Sequence, residues 1–237
     1  MKIKIDLSPN FSIKTRSKSN VKFVIIHYTG MQSEIESFKR LKSEKSKVSC
    51  HYFINRKGSI TQMIKDNQVA WHAGKSKWKT FKNLNENSIG IELVNKGIKF
   101  GYQNFSKPQL TSLINLCKNL KKKYAIGCEN FLGHSDIAPL RKLDPGEKFP
   151  WERLSKHKLG RWYSNNFFFK PIDQKNMEIS FFNNIYKIGY RYFSLKKKDK
   201  KDKFIIKSFQ RHFLPKNVSG KIDLKTYKIS HFLANKL

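Results

Sequence analysis

The chain has 237 residues and 38% hydrophobic content, enough for one domain of ordinary size plus a small second one, each with a real core. No segment approaches the ~18 consecutive apolar residues of a membrane span, which excludes a transmembrane helix. The formal charge of +32 attracts polyanions of any kind, but lysine is spread over the whole chain beside much asparagine and isoleucine. That spread fits compositional bias and solubility better than a dedicated nucleic-acid surface.

Residues 1–20 read as a polar lead-in. Val21 to His27 is a continuous apolar run rich in β-branched residues, the pattern of a strand buried on both faces of a sheet. Ser33-Glu34-Ile35-Glu36 is a capping box, and Ile35, Phe38 and Leu41 follow at helical spacing. His51 to Asn55 and Ser59 to Ile64, joined by Arg56-Lys57-Gly58, read as a hairpin with glycine in its turn. Trp71-His72-Ala73-Gly74 follows in a loop, and Lys75 to Asn87 has no clear period. Ser88 to Val94 reads as a strand that carries one unusual charge, Glu92, between Ile91 and Leu93. Ser106-Lys107-Pro108-Gln109 opens a helix with Leu110, Leu113, Ile114, Cys117 and Leu120 on one face.

Alternating strands and helices predict an α/β layer structure over residues 1–160. The aromatic, asparagine-rich stretch after Leu154 marks a linker, placed at residues 161–177. From residue 178 to 237, three amphipathic segments (Ile179–Ile188, Lys203–Phe213 and Leu224–Leu233) predict a small three-helix module. The lysine-rich run 196–203 reads as a solvated loop.

Three separated stretches suggest a metal site. His27 ends the first apolar run, and His134 and Asp144 stand ten residues apart in Gly133-His134-Ser135-Asp136-Ile137-Ala138-Pro139 and Arg141-Lys142-Leu143-Asp144-Pro145-Gly146. Two imidazoles and one carboxylate are a usual ligand set for catalytic zinc, leaving a fourth position open. Cys50, Cys117 and Cys128 lack the paired short spacing of a structural zinc site, and an odd count fits reduced thiols better than a disulfide framework.

Residues 21–155 resemble the zinc-dependent N-acetylmuramoyl-L-alanine amidases of the type 2 amidase family, relatives of phage amidase lysozymes and of peptidoglycan recognition proteins. The blocks that carry the resemblance are Ile26-His27-Tyr28-Thr29-Gly30, Val48 to Ile54, Ala70-Trp71-His72-Ala73-Gly74, Ser88-Ile89-Gly90-Ile91-Glu92, and the two stretches around His134 and Asp144. The resemblance implies a central mixed β-sheet flanked by helices and one zinc ion per chain, held by His27, His134 and Asp144. It also implies Glu92 as the catalytic acid/base and Lys142 as the cation that assists beside the metal.

Tyr28, His51, Trp71 and His72 are candidate substrate contacts, His51 being suited as well to a structural place behind the site. His157, His212 and His231 lie outside the motifs and read as surface or packing residues. Ser208 to Phe213 followed by Gly220-Lys221-Ile222-Asp223 resembles a peptidoglycan-binding-like helical module carried by one branch of the family.

The function implied is hydrolysis of the amide between N-acetylmuramic acid, or its anhydro form, and L-alanine, in peptidoglycan or muropeptides, for bacterial wall turnover or recycling. A non-catalytic peptidoglycan-binding protein and a basic nucleic-acid-binding protein are the alternatives; a recognised nucleic-acid motif is lacking, so no specific nucleic-acid partner is expected. The first ten residues lack the apolar stretch of a secretory signal, so the expectation is a cytoplasmic monomer, with a periplasmic setting as the alternative.

Overall fold

The computed structural model describes residues 2–164 and 173–236. In chain order its first elements are β1 (Ile3–Ile5), β2 (Phe11–Ser12), β3 (Phe23–Tyr28), α1 (Glu34–Lys42), β4 (Tyr52–Ile54) and β5 (Ile60–Gln62). They continue with β6 (Val69–Ala70), β7 (Lys77–Trp78), β8 (Phe81–Lys82), β9 (Ser88–Leu93), α2 (Lys107–Tyr124) and β10 (Phe131–Gly133). The rest is helical: α3 (His134–Ile137), α4 (Trp151–Ser155), α5 (Gln174–Ile188), α6 (Asp202–Phe213) and α7 (Leu224–Ala234).

Six strands form one mixed sheet in the order β1-β5-β4-β9-β3-β10, parallel at every pairing except the β4–β5 hairpin. Side chains alternate between the two faces with a period of two, and this sorts the central strands. Val24 and Ile26 of β3, with Ile89, Ile91 and Leu93 of β9, share a cluster with Leu110, Leu113, Ile114, Cys117 and Leu120 of α2. α2 starts where the sequence predicts: Ser106 accepts from the Gln109 N–H, Pro108 occupies the first turn, and Ala125 at φ +51° ends the helix.

The opposite face carries Phe23 and Ile25 of β3 and Leu132 of β10. These join Phe181 and Ile185 of α5, Ile205, Phe209 and Phe213 of α6, and Ile229 and Leu233 of α7 in a single cluster. The three predicted C-terminal helices are therefore present, but they do not close a core of their own. The small ribbon β7–β8 strengthens the junction. Trp78 packs edge-on against Tyr190 with ring centroids 4.9 Å apart, and the Lys79 N–H donates to the Gly189 carbonyl at 2.8 Å. Gly189 has φ +142°, and a Cβ there would lie 2.4 Å from the Trp78 indole, so only glycine fits. Residues 165–172 of the expected linker lie outside the described residues.

Two local expectations change. The lead-in is not a passive segment: β1 pairs with β5, and Arg16 is buried, donating to the carbonyls of Asp66, Asn85, Glu86 and Ser88 at 2.7–3.2 Å. In α1, Ser33 caps the helix through the Glu36 N–H as predicted, but Ile35 is exposed and the buried positions are Ser37 and Leu41.

A shared core predicts that the helices cannot be removed cheaply. Re-exposing Phe23, Ile25, Trp78, Leu132 and Ile137 costs roughly 1.5–3 kcal/mol per side chain, against a total stability of roughly 5–15 kcal/mol. A chain ending at Ser164 should melt at lower temperature and bind a hydrophobic dye. A truncated chain with the full-length Tm and no dye binding would show that the two parts are independent.

Candidate metal centre

The register of parallel strands sets the site. Glu92 of β9 is paired with His27 of β3, and Gly133 of β10 lies opposite Ile26, so the next residue, His134, arrives beside His27. Adjacent strands lie about 4.8 Å apart, so three side chains with chemistry line up at the carboxyl ends of three neighbouring strands. That is where open α/β sheets hold ligands. Asp144 comes from the following loop, which is tied back to α3 by the Ser135 N–H donating to the Asp144 carbonyl at 2.8 Å.

His27 Nδ1, His134 Nδ1 and Asp144 Oδ2 form a triangle with sides of 2.9, 3.0 and 3.1 Å, and all three residues are buried. The outer nitrogens fix which atoms are free. His134 Nε2 lies 3.1 Å from the Ala73 carbonyl, which can only accept, and farther, at 3.4 Å, from Arg141 Nη2, which can only donate; the shorter contact places the proton on Nε2 and leaves Nδ1 a lone pair in the neutral ring. His27 Nε2 lies 3.0 Å from His72 Nδ1. His72 Nε2 in turn faces Ser88 Oγ at 3.3 Å, and that hydroxyl donates to the Leu84 carbonyl at 2.5 Å. Followed back from Leu84, the chain makes His72 Nδ1 an acceptor and His27 Nε2 a donor, which leaves His27 Nδ1 as a second lone pair. Three lone pairs meeting in one place fit a cation. Tetrahedral zinc with bonds of 2.0–2.1 Å sets its ligands about 3.3 Å apart, close to this triangle.

The Trp71-His72-Ala73 loop thus holds the outer nitrogens of both histidines. Asn85 Oδ1 fixes the loop by accepting from the backbone N–H groups of His72 and Ala73 at 3.1 and 2.6 Å. Gly90 makes room for it: a Cβ at this position would lie 2.4 Å from the His72 ring. In β9 the residues facing the site are therefore Ser88, Gly90 and Glu92, while Ile89, Ile91 and Leu93 pack on the α2 side.

Electrostatics follow burial. Burial and the neighbouring His134 push His27 down to about 4. Burial pushes Glu92 up to about 8, with the Asp144 charge adding to the rise and Lys142 opposing it. Glu92 Oε2 is enclosed and accepts no hydrogen bond from the described residues.

A cleft of about 560 Å³ opens over this group, lined by His27, Tyr28, Trp71, His72, Glu92, His134, Lys142 and Asp144, with Arg40, Lys99 and Arg141 adding positive charge. Of the expected substrate contacts, Tyr28, Trp71 and His72 border the cleft; His72 is also engaged behind His27. His51 does not border it. It is fully buried, accepts from the Gly90 N–H through Nδ1 at 3.0 Å, and sets Nε2 against the Gln68 carbonyl and Arg16. Burial and Arg16 push it down to about 3. Ser88, Gly90 and the Ala73 carbonyl went unassigned in the sequence. The alternation Ser88-Gly90-Glu92 between isoleucines is the signal that marks the strand face.

Comparison with known proteins bears on the same residues. The family profile described as N-acetylmuramoyl-L-alanine amidase matches residues 17–147, which include His27, Glu92, His134 and Asp144. The N-acetylmuramoyl-L-alanine amidase AmiD of Escherichia coli is 33% identical, over 91% of this chain and 83% of its own length. Its solved complex with anhydro-N-acetylmuramic acid-L-Ala-D-gamma-Glu-L-Lys superposes with a TM-score of 0.79, covering 95% of this chain and 92% of that one. AmpDh3 of Pseudomonas aeruginosa, solved with an anhydromuramic pentapeptide, gives 0.80 at 28% identity and 96% coverage of both chains. The 1,6-anhydro-N-acetylmuramyl-L-alanine amidase AmpD of Haemophilus influenzae is 34% identical over 62% of this chain and 86% of its own length. With a profile match over more than half of its length and a relative aligned over nine-tenths of it, this chain belongs to the N-acetylmuramoyl-L-alanine amidase family.

Proposed function

We propose that the protein is a zinc-dependent amidase that cleaves the bond between the muramyl lactyl group and L-alanine in soluble anhydro-muropeptides. The observation that carries the reading is the triangle of three lone pairs beside a carboxyl whose enclosed Oε2 has no hydrogen-bond partner among the described residues. The likeness to two proteins solved with anhydromuramyl peptides supports the substrate class. So does the basic rim of Arg40, Lys99, Arg141 and Lys142, which suits a peptide bearing several carboxylates.

A zinc ion held by His27, His134 and Asp144 would supply Lewis acidity, polarising the amide carbonyl and making water acidic enough to react near neutral pH. With a cation among the ligands, which would favour its ionised form, Glu92 takes one proton from the attacking water as the oxygen adds to the carbonyl carbon. It then gives that proton to the alanine nitrogen as the C–N bond breaks. The products are a free lactyl carboxyl group and a free amine. Lys142, on the cleft wall, stabilises the negative charge that builds on the carbonyl oxygen. Asp144 and the two histidines stay fixed throughout. A protein that only bound muropeptides would gain nothing from Glu92, since a buried carboxyl oxygen without a donor is costly.

Three outcomes test this. The purified chain should hold about one zinc, Asp144→Ala should lose it, and Glu92→Gln should keep it while losing at least about 10²-fold in kcat. Full activity in a metal-free preparation would reject the metal role. On substrate choice, peptide release from a soluble anhydro-muropeptide should be faster than from an intact sacculus, and the reverse order would move the proposal to the wall itself.

The third outcome concerns pH. With Glu92 raised to about 8 in the metal-free chain, the folded state holds one more proton than the unfolded state between its ordinary value and 8, so stability falls as pH rises through that window. Glu92→Gln removes that slope. In urea titrations the metal-free variant should therefore gain on metal-free wild type between about pH 5 and about pH 8. A constant difference would show that Glu92 is not perturbed.

A further inference from the structure

We infer that His212 of helix α6 and Tyr190, which precedes it in the chain, position the metal-ligand segment through the buried carboxylate of Asp136; the inference rests on His27, His134 and Asp144 being the ligands. Asp136 lies between two of them in sequence and is 1% exposed. Its carboxylate gathers three donors. Oδ2 accepts from the Gly133 N–H and from His212 Nδ1–H, both at 2.7 Å, and Oδ1 accepts from the Tyr190 hydroxyl at 2.7 Å. Gly133 precedes His134 directly, so this carboxylate orients the peptide from which the ligand leaves the sheet. Two of the three donors come from beyond residue 173.

Further contacts run from α6 to the same segment. Ser208 Oγ donates to the Ser135 carbonyl at 2.7 Å, and the Ser135 N–H donates to the Asp144 carbonyl at 2.8 Å, linking α6 to the third ligand through one residue. Arg211 Nε lies 3.7 Å from Glu147, three residues past Asp144. His212 itself cannot swing away. Its ring is stacked between Trp151 (centroids 4.0 Å apart, planes at 11°) and Phe213 (4.1 Å, 21°).

A helix that only covered the sheet would need its apolar residues alone. α6 instead supplies polar donors directed at one buried carboxylate and one carbonyl, both within two residues of His134 in sequence. Outer partners of this kind orient metal ligands and change metal affinity when they are removed. Here the partners act on the ligand backbone and not on the rings, so His212, Tyr190 and Ser208 are positioning residues.

The test uses full-length His212→Leu, His212→Asn and Tyr190→Phe, with zinc affinity measured by chelator competition and the visible spectrum of the Co(II)-loaded protein as a second readout. His212→Leu and Tyr190→Phe should weaken zinc binding about tenfold and shift the Co(II) bands while the far-UV circular dichroism is unchanged. His212→Asn, whose amide can donate from near the Nδ1 position, should recover most of the lost affinity. Folded His212→Leu with wild-type zinc affinity and Co(II) spectrum would overturn the inference. If His212→Leu does not fold, Tyr190→Phe decides, since it removes one hydroxyl and keeps the ring: unchanged affinity overturns the inference. A wild-type chain that binds no zinc would overturn the reading of the site itself, a result distinct from zinc binding that the variants leave intact.

Discussion

Three electron-pair donors held about 3 Å apart inside a protein repel one another unless a positive charge sits among them, and the structure around His27, His134 and Asp144 is built to keep them there. The parallel register of β9, β3 and β10 brings the two histidines and Glu92 to one level of the sheet. The loop through Ala73 then occupies the outer nitrogens. Once those nitrogens are engaged as donors, each ring has a single way to face inward, so the inner atoms are selected by partners on the far side of each ring.

The same logic explains where polar groups appear in an otherwise apolar sheet. β9 is hydrophobic towards α2 and carries a hydroxyl, a glycine and a carboxyl towards the site. Ser88 ends the hydrogen-bond chain through His72, Gly90 leaves space for that ring, and Glu92 sets its carboxyl on the wall of the cleft beside His27. Glu92 is the group in the row whose enclosed oxygen has no hydrogen-bond partner among the described residues. A carboxyl oxygen enclosed without a donor among the described residues lowers stability, which marks the position as a candidate functional one.

Much of this was legible in the sequence. β3, β9, the hairpin and α2 follow from periodicity and capping residues, and the C-terminal helices from their amphipathic spacing, within a few residues of the observed ends except at α5, which starts at Gln174, inside the stretch expected to be linker, because Asp173 caps it through the Asn176 N–H. The lead-in was harder to read, because β1 is three residues long and Arg16 reads as a surface charge until its four carbonyl partners are known. The boundary at residues 161–177 reflects composition, but composition does not reveal that Ile205 and Phe209 meet Phe23 and Ile25 on one sheet face. His51 and His72 look alike in sequence, each beside an aromatic residue in a motif. Only the register shows that one lies beneath the sheet end near Arg16 and the other at the cleft behind His27. His212, read as a packing residue, does pack, and it also donates to Asp136.

The central claim is that one cation is held by His27 Nδ1, His134 Nδ1 and Asp144 Oδ2. Crystals of the zinc-loaded protein, measured with anomalous scattering on both sides of the zinc edge, test it most directly. A single strong peak is expected about 2.0–2.2 Å from those three atoms, with His27 Nε2 still on His72 and His134 Nε2 still on the Ala73 carbonyl. A peak bound through either Nε2 atom, or through residues elsewhere in the chain, would contradict it.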